Sequence, residues 1–91
     1  MRNRKGSEVR VGQTRALLAS HVVMLRRRAG LSQEALALEA GLHRTFVAHV
    51  ERGARNLSID SVEKLAHGLR VPPVVLLAPD MEAMKSWTST E

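Results

Sequence analysis

A chain of 91 residues, 44% hydrophobic and 25% charged, has room for one globular domain and no more. With one Phe, one Trp and no Tyr its core must be aliphatic, and with no Cys it holds no disulfide, thiolate metal site or cysteine nucleophile. The net charge of +5 is unevenly placed: residues 1–55 carry eleven basic against four acidic side chains and residues 56–91 three against five, a footprint that suits a polyanion partner.

Residues 1–12 hold Arg2, Arg4, Lys5 and Arg10 with two Gly and little periodicity, and read as a flexible basic arm. Arg4 and Lys5 are not followed by the apolar core of a signal peptide, and the longest apolar run, Val71 to Pro79, is far too short to span a bilayer, so a cytoplasmic protein without membrane contact is expected. Helical periodicity then begins. Thr14 is the expected N-cap of a first helix over 14–29, with Leu18, Val22, Leu25 and Ala29 on its apolar side and Gly30 as its C-cap. Ser32 caps a second helix over 33–40, where Glu34 sits favourably in the first turn, Leu36, Ala37 and Ala40 face inward, and Gly41 ends it. His43 stands at the next N-cap position, where Ser or Asp would start a helix more firmly. A third helix runs over 44–52 with Val47 and Val50 inward, closed by Gly53.

Ala54 to Leu57 read as a loop. Ser58 caps a fourth helix over 59–69 whose stripe is Ile59, Val62, Leu65, Ala66 and Leu69. Val71-Pro72-Pro73 breaks it, and Pro73 suits the first position of a short fifth helix over 73–78. Residues 80–91 form a tail with no strong face. No stretch alternates with period two. The fold class is therefore all-α: a compact five-helix bundle over residues 13–79.

The segment from Leu31 to Gly53 has the length and punctuation of a helix-turn-helix, at helices two and three. Ala37 is small where two helices cross, Gly41 permits the left-handed backbone of a tight turn, and Leu42 and Val47 plug the angle between the helices. The outward residues of helix three, Arg44, Thr45, Ala48 and His49, can all meet base edges, and none is acidic.

These residues resemble the Cro-type helix-turn-helix repressors, in a pattern of Leu25-Arg26, Gly30-Leu31-Ser32-Gln33, Leu36-Ala37, Gly41, Val47 and Glu51-Arg52-Gly53 that continues through Ser58 to Ala66. Within that family, HRTFVAHVERGARNLSI is most similar to the controller proteins of restriction–modification systems. The resemblance implies a phage-repressor type of domain and a homodimer on a pseudo-palindromic double-stranded operator. It implies base reading by Arg44 and Thr45, with His49 one turn further on. It gives Gln33 a grip on phosphate and places Arg52, Arg55 and Asn56 at the backbone or groove edge, with His43 beside them. It also pairs Arg26 with Glu51 as a structural ion pair. Leu57 departs from a proline common in the family, and Ala48 and His49 are unusual choices, so the operator does not follow from relatives.

Other chemistry finds little footing. His43 and His49 are six apart, not on one helical face, and no Cys joins them, so no metal site is expected. Asp60 and Glu63 sit beside Lys64 as a surface charge group, and no nucleophile setting appears, so neither an enzyme nor a cofactor is expected. Four consecutive aliphatics, Val74, Val75, Leu76 and Leu77, exceed what one short helix buries alone and form the expected dimer interface. RNA polymerase is a further partner open to such a regulator. A competing reading is an antitoxin-like module that neutralises a toxin and binds DNA secondarily. RNA binding is poorly served by Phe46 and Trp87 alone.

Overall fold

Ser32 and Ser58 each turn a hydroxyl onto a helix start: Ser32 Oγ accepts from the Ala35 amide and Ser58 Oγ from the Ser61 amide, both at 3.0 Å. They open two of the five helices that lie within residues 11–80 of this computed structural model, which describes residues 11–80, 82 and 83. The helices are α1 (Gln13–Arg28), α2 (Gln33–Ala40), α3 (Arg44–Glu51), α4 (Ile59–Leu69) and α5 (Pro73–Leu76), with no strand among the described residues. Pro73 takes the first position of α5, where a missing N–H loses nothing. Most of the basic arm and of the tail expected at 80–91 lies outside the described residues.

The boundaries differ from expectation in small, explicable ways. α1 begins at Gln13 after a left-handed Gly12 that makes no side-chain cap, so Thr14 lies inside the first turn rather than before it. Its end is a Schellman turn one residue earlier than expected, with Ala29 as the cap and Gly30 beyond it: the Leu31 amide bonds the Arg26 carbonyl and the Gly30 amide that of Arg27, both at 3.0 Å. Ala29 is consequently exposed. α4 ends on Arg70 in the left-handed region (φ 61°), before the Val71-Pro72-Pro73 break.

Leu36, Leu65, Leu76, Val22, Val47, Val50 and Val75 are fully buried and fill the centre of an aliphatic core. α2 packs most extensively on α4. Their approach is close at Gly68, where an added Cβ would lie 2.9 Å from Leu36 Cδ1 and 3.1 Å from Ala40 Cβ. The close crossing of α2 and α4 is thus set by Gly68 against Leu36 and Ala40. His21 is buried among the aliphatics, and its Nδ1 lies 3.1 Å from the Leu76 carbonyl oxygen, which ties α1 to α5.

Two expectations about apolar surface are corrected. Val75 and Leu76 lie within the domain's own core, so they do not form an interface; only Val74 and Leu77 of that run are exposed, at 43% and 42%. A single-turn helix turns two of four consecutive residues inward and two outward. Ile59 is 72% exposed instead of completing the α4 stripe. It lies on the rim of a surface groove with Thr14, Leu18, Leu57 and Leu77.

Candidate nucleic-acid interface

α2 and α3 meet through a turn whose geometry depends on Gly41. This residue has φ +72°, and nothing stands within 4 Å of where its Cβ would be, so backbone conformation and not space selects glycine there. The Leu42 amide closes the turn on the Ala37 carbonyl at 2.9 Å. α3 then buries Val47 and Val50 on one side and leaves Arg44 and Thr45 exposed on the other, with Ala48 and His49 half-buried beside them. His43 is exposed at the N-cap and makes no side-chain cap, which agrees with the weak helix start expected of it.

The C-terminal end of α3 is fixed by charge. Arg26 reaches from α1 to Glu51 with two parallel bonds, Nε to Oε2 at 2.6 Å and Nη2 to Oε1 at 3.0 Å, and the two side chains are only 12% and 7% exposed. Arg26 Nη1 also donates to the Leu31 carbonyl at 2.8 Å, so one guanidinium joins α1, the turn that leads into α2 and the end of α3. The expected pair is therefore present. Burial alone would push the Glu51 carboxyl up, but the hydrogen bonds from Arg26 and Gln33, with the nearby charges of Arg26 and Arg27, outweigh it and hold the group below its ordinary value.

Gln33 was expected to face phosphate, and its side chain is shared. Its Nε2 donates to Glu51 Oε1 at 2.9 Å. An amide nitrogen carries two hydrogens, so one remains for another acceptor. Sequence reading did not anticipate this three-residue cluster, although Gln33, Arg26 and Glu51 were each singled out.

Arg52, Arg55 and Asn56 are all exposed on the segment after α3. The Arg55 guanidinium carbon lies 5.3 Å from the centre of the Phe46 ring, and Asn56 Oδ1 accepts a hydrogen bond from Arg15 Nη1 of α1. His43, Thr45, Phe46, His49 and Arg55 line one surface groove together with Gly41 and Leu42. Because Glu51 is the one acid on α3 and is neutralised by Arg26, this surface carries Arg44, Arg52 and Arg55 with no free carboxylate among α3 and the loop. Arg27 and Arg28, exposed at the end of α1, extend the positive charge. No group of three or more potential metal ligands occurs among the described residues. No helix among them is long and apolar enough to cross a membrane.

Comparison with known proteins agrees with this geometry. A helix-turn-helix family profile matches residues 23–76. Control protein C.BamHI of Bacillus amyloliquefaciens is 48% identical over 50 residues, which cover 55% of this chain and 62% of that protein, so the match spans under two thirds of that relative. The crystal structure of the restriction-modification controller protein C.AhdI from Aeromonas hydrophila superposes with a TM-score of 0.66 at 42% identity, covering 68% of this chain and 94% of that one. The crystal structure of the hypothetical transcription factor NHTF from Neisseria gives a TM-score of 0.75 at 37% identity, covering 93% of this chain and 99% of that one. With its turn at Gly41, its exposed α3 face and these matches, the chain belongs to the helix-turn-helix family.

Proposed function

We propose that the chain is a sequence-specific regulator of transcription that binds double-stranded DNA as a homodimer on a pseudo-palindromic operator, as a restriction–modification controller protein would. The observation that carries this reading is the asymmetry of α3. Its first turn leaves Arg44 and Thr45 exposed, with Ala48 and His49 half-buried beside them, while its C-terminal end is clamped by Arg26 and Gln33 on Glu51. A helix clamped at its far end, with exposed side chains in its first turn, can enter a major groove with its first residues toward the bases.

Arg44, in the first turn, is the residue to give two parallel hydrogen bonds to O6 and N7 of guanine. Thr45, Ala48 and His49 line the same edge. The second amide hydrogen of Gln33, with His43, Arg52, Arg55 and Asn56, holds the backbone or groove edge. Dimerisation falls to Val74, Leu77 and Ile59, the exposed aliphatics on or beside α5, and sets two recognition helices about 34 Å apart. Leu77→Glu should yield a monomer in sedimentation; an unaltered dimer would move the interface elsewhere. A protein acting at a promoter blocks or recruits RNA polymerase, so polymerase rather than a toxin is the further partner in this reading, in the cytoplasm with the DNA. The names of the relatives support a regulator and not an enzyme.

Selection of bound duplexes from a random pool tests the proposal. The expected result is an inverted repeat with half-sites about one helical turn apart. Enrichment of single strands, or of no sequence, would overturn it.

A further inference from the structure

Phe46 is the chain's one phenylalanine, and it lies half-buried on the recognition helix while Val47 and Val50 fill the core beneath. Core packing accounts for one part of this side chain, which touches the buried cluster. The other part faces Arg55. The guanidinium carbon sits 5.3 Å from the ring centre, within the range where a cation is attracted to an aromatic face.

Arg55 belongs to an irregular segment, where a long side chain would ordinarily sample many rotamers. Here the segment is pinned on both sides. Arg55 rests on Phe46 of α3, and the next residue, Asn56, accepts a hydrogen bond from Arg15 of α1. Arg55 has no ion pair among the described residues, whose one salt bridge joins Arg26 to Glu51. A guanidinium that rests on an aromatic ring keeps N–H donors in its own plane, where they can meet a phosphate or a base edge. Arg55 lines the same groove as Thr45 and His49.

We infer that Phe46 is a positioning residue for DNA recognition: its ring holds the Arg55 guanidinium beside α3, so that Arg55 meets the duplex already oriented. The inference rests on the DNA-binding reading above and adds a residue that need not touch DNA at all. Its effect comes from freedom removed before binding. Ordering one rotamer-rich side chain on association weakens binding by about two- to tenfold, which is the loss expected per protomer when the ring is removed.

The test is a double-mutant cycle on the selected operator with the full chain. Phe46→Leu keeps an apolar side chain of similar size, and Phe46→Tyr keeps the ring. Phe46→Leu should weaken operator binding by about two- to tenfold per protomer in the wild-type background and by under about twofold in the Arg55→Ala background. Phe46→Tyr should bind as the wild type does. In the DNA-free protein, proton NMR should show ring-current shifts on the Arg55 side chain that Phe46→Leu abolishes. Arg55→Lys is an exposed change that leaves the core intact. It keeps the charge but loses the planar guanidinium, so it should weaken binding as well, which holds the test open if Phe46→Leu fails to fold. Equal losses from Phe46→Leu in both backgrounds, full binding by Phe46→Leu, full binding by Arg55→Lys, or absent ring-current shifts would each overturn the inference while leaving DNA binding standing. A wild-type protein that binds no duplex would overturn the underlying reading and the inference with it.

Discussion

α2 and α3 are each eight residues long and share one turn, yet different forces hold them. α2 is a scaffold helix. A serine caps its start, Gly41 ends it in the left-handed region, three of its residues are buried, and α4 approaches Leu36 and Ala40 closely at Gly68. α3 buries only Val47 and Val50 and has no side-chain cap at His43. Its orientation comes from a carboxylate at its far end, held by Arg26 and Gln33. A helix that must present most of its surface to a partner cannot be fixed by burial on all sides, so polar contacts at one terminus take over that task.

Breaking the polar clamp should have the largest effect. Arg26→Ala leaves Glu51 buried without its counter-ion and should destabilise the fold by about 3–5 kcal/mol, read from chemical denaturation. A loss under about 1 kcal/mol would show that α3 is held by packing after all. The pair also has a pH signature. Glu51 is held below its ordinary value of 4.5, so its contribution is complete above that pH and is lost as pH falls through the lower folded value. The stability gap between wild type and Arg26→Ala should therefore narrow in acid, since a protonated Glu51 needs no cation. A gap that widens below pH 4.5 would contradict the assignment.

Overfilling the scaffold comes next. Gly68→Val places atoms against Leu36 and against Ala40, whose backbone nitrogen stands 3.2 Å from the new Cβ. Overpacking of this kind typically destabilises by about 1–3 kcal/mol, beyond any gain in helix propensity. An unchanged melting temperature would mean that α2 and α4 are not in firm contact. The smallest effect sharpens the contrast between the two helix starts. The His43 backbone (φ −78°, ψ 145°) lies in the same extended region as the Ser32 cap, so His43→Ser should supply the missing bond and stabilise the fold by about 0.5–1 kcal/mol. A destabilised His43→Ser would indicate that the imidazole contributes to the turn.

The scaffold was the more legible half. Ser32, Gly41, Ser58 and Pro73 act through their own backbone neighbours, so sequence alone places them. The clamp was legible only through resemblance, because Arg26 and Glu51 are separated by 25 positions and no local rule joins them. Gly68 and His21 were not anticipated for the same reason. A glycine inside a helix looks like weakness until the opposing Ala40 is seen, and a histidine beside Val22 looks like surface until the Leu76 carbonyl meets it. The run from Val74 to Leu77 failed differently. One helical turn of uniform aliphatics carries no periodic signal, so the buried pair and the exposed pair cannot be separated by pattern.

The central claim is that the open N-terminal face of α3 reads sequence while its clamped end does not. Its most direct test is Arg44→Ala, measured by equilibrium binding to the selected operator and to every single-base-pair substitution of it. The account predicts a loss of about 1–3 kcal/mol on the operator, with selectivity relaxed at one base pair in each half-site and preserved elsewhere. If Arg44→Ala weakens all sequences alike and leaves every base preference intact, Arg44 contacts only the DNA backbone and the account is contradicted.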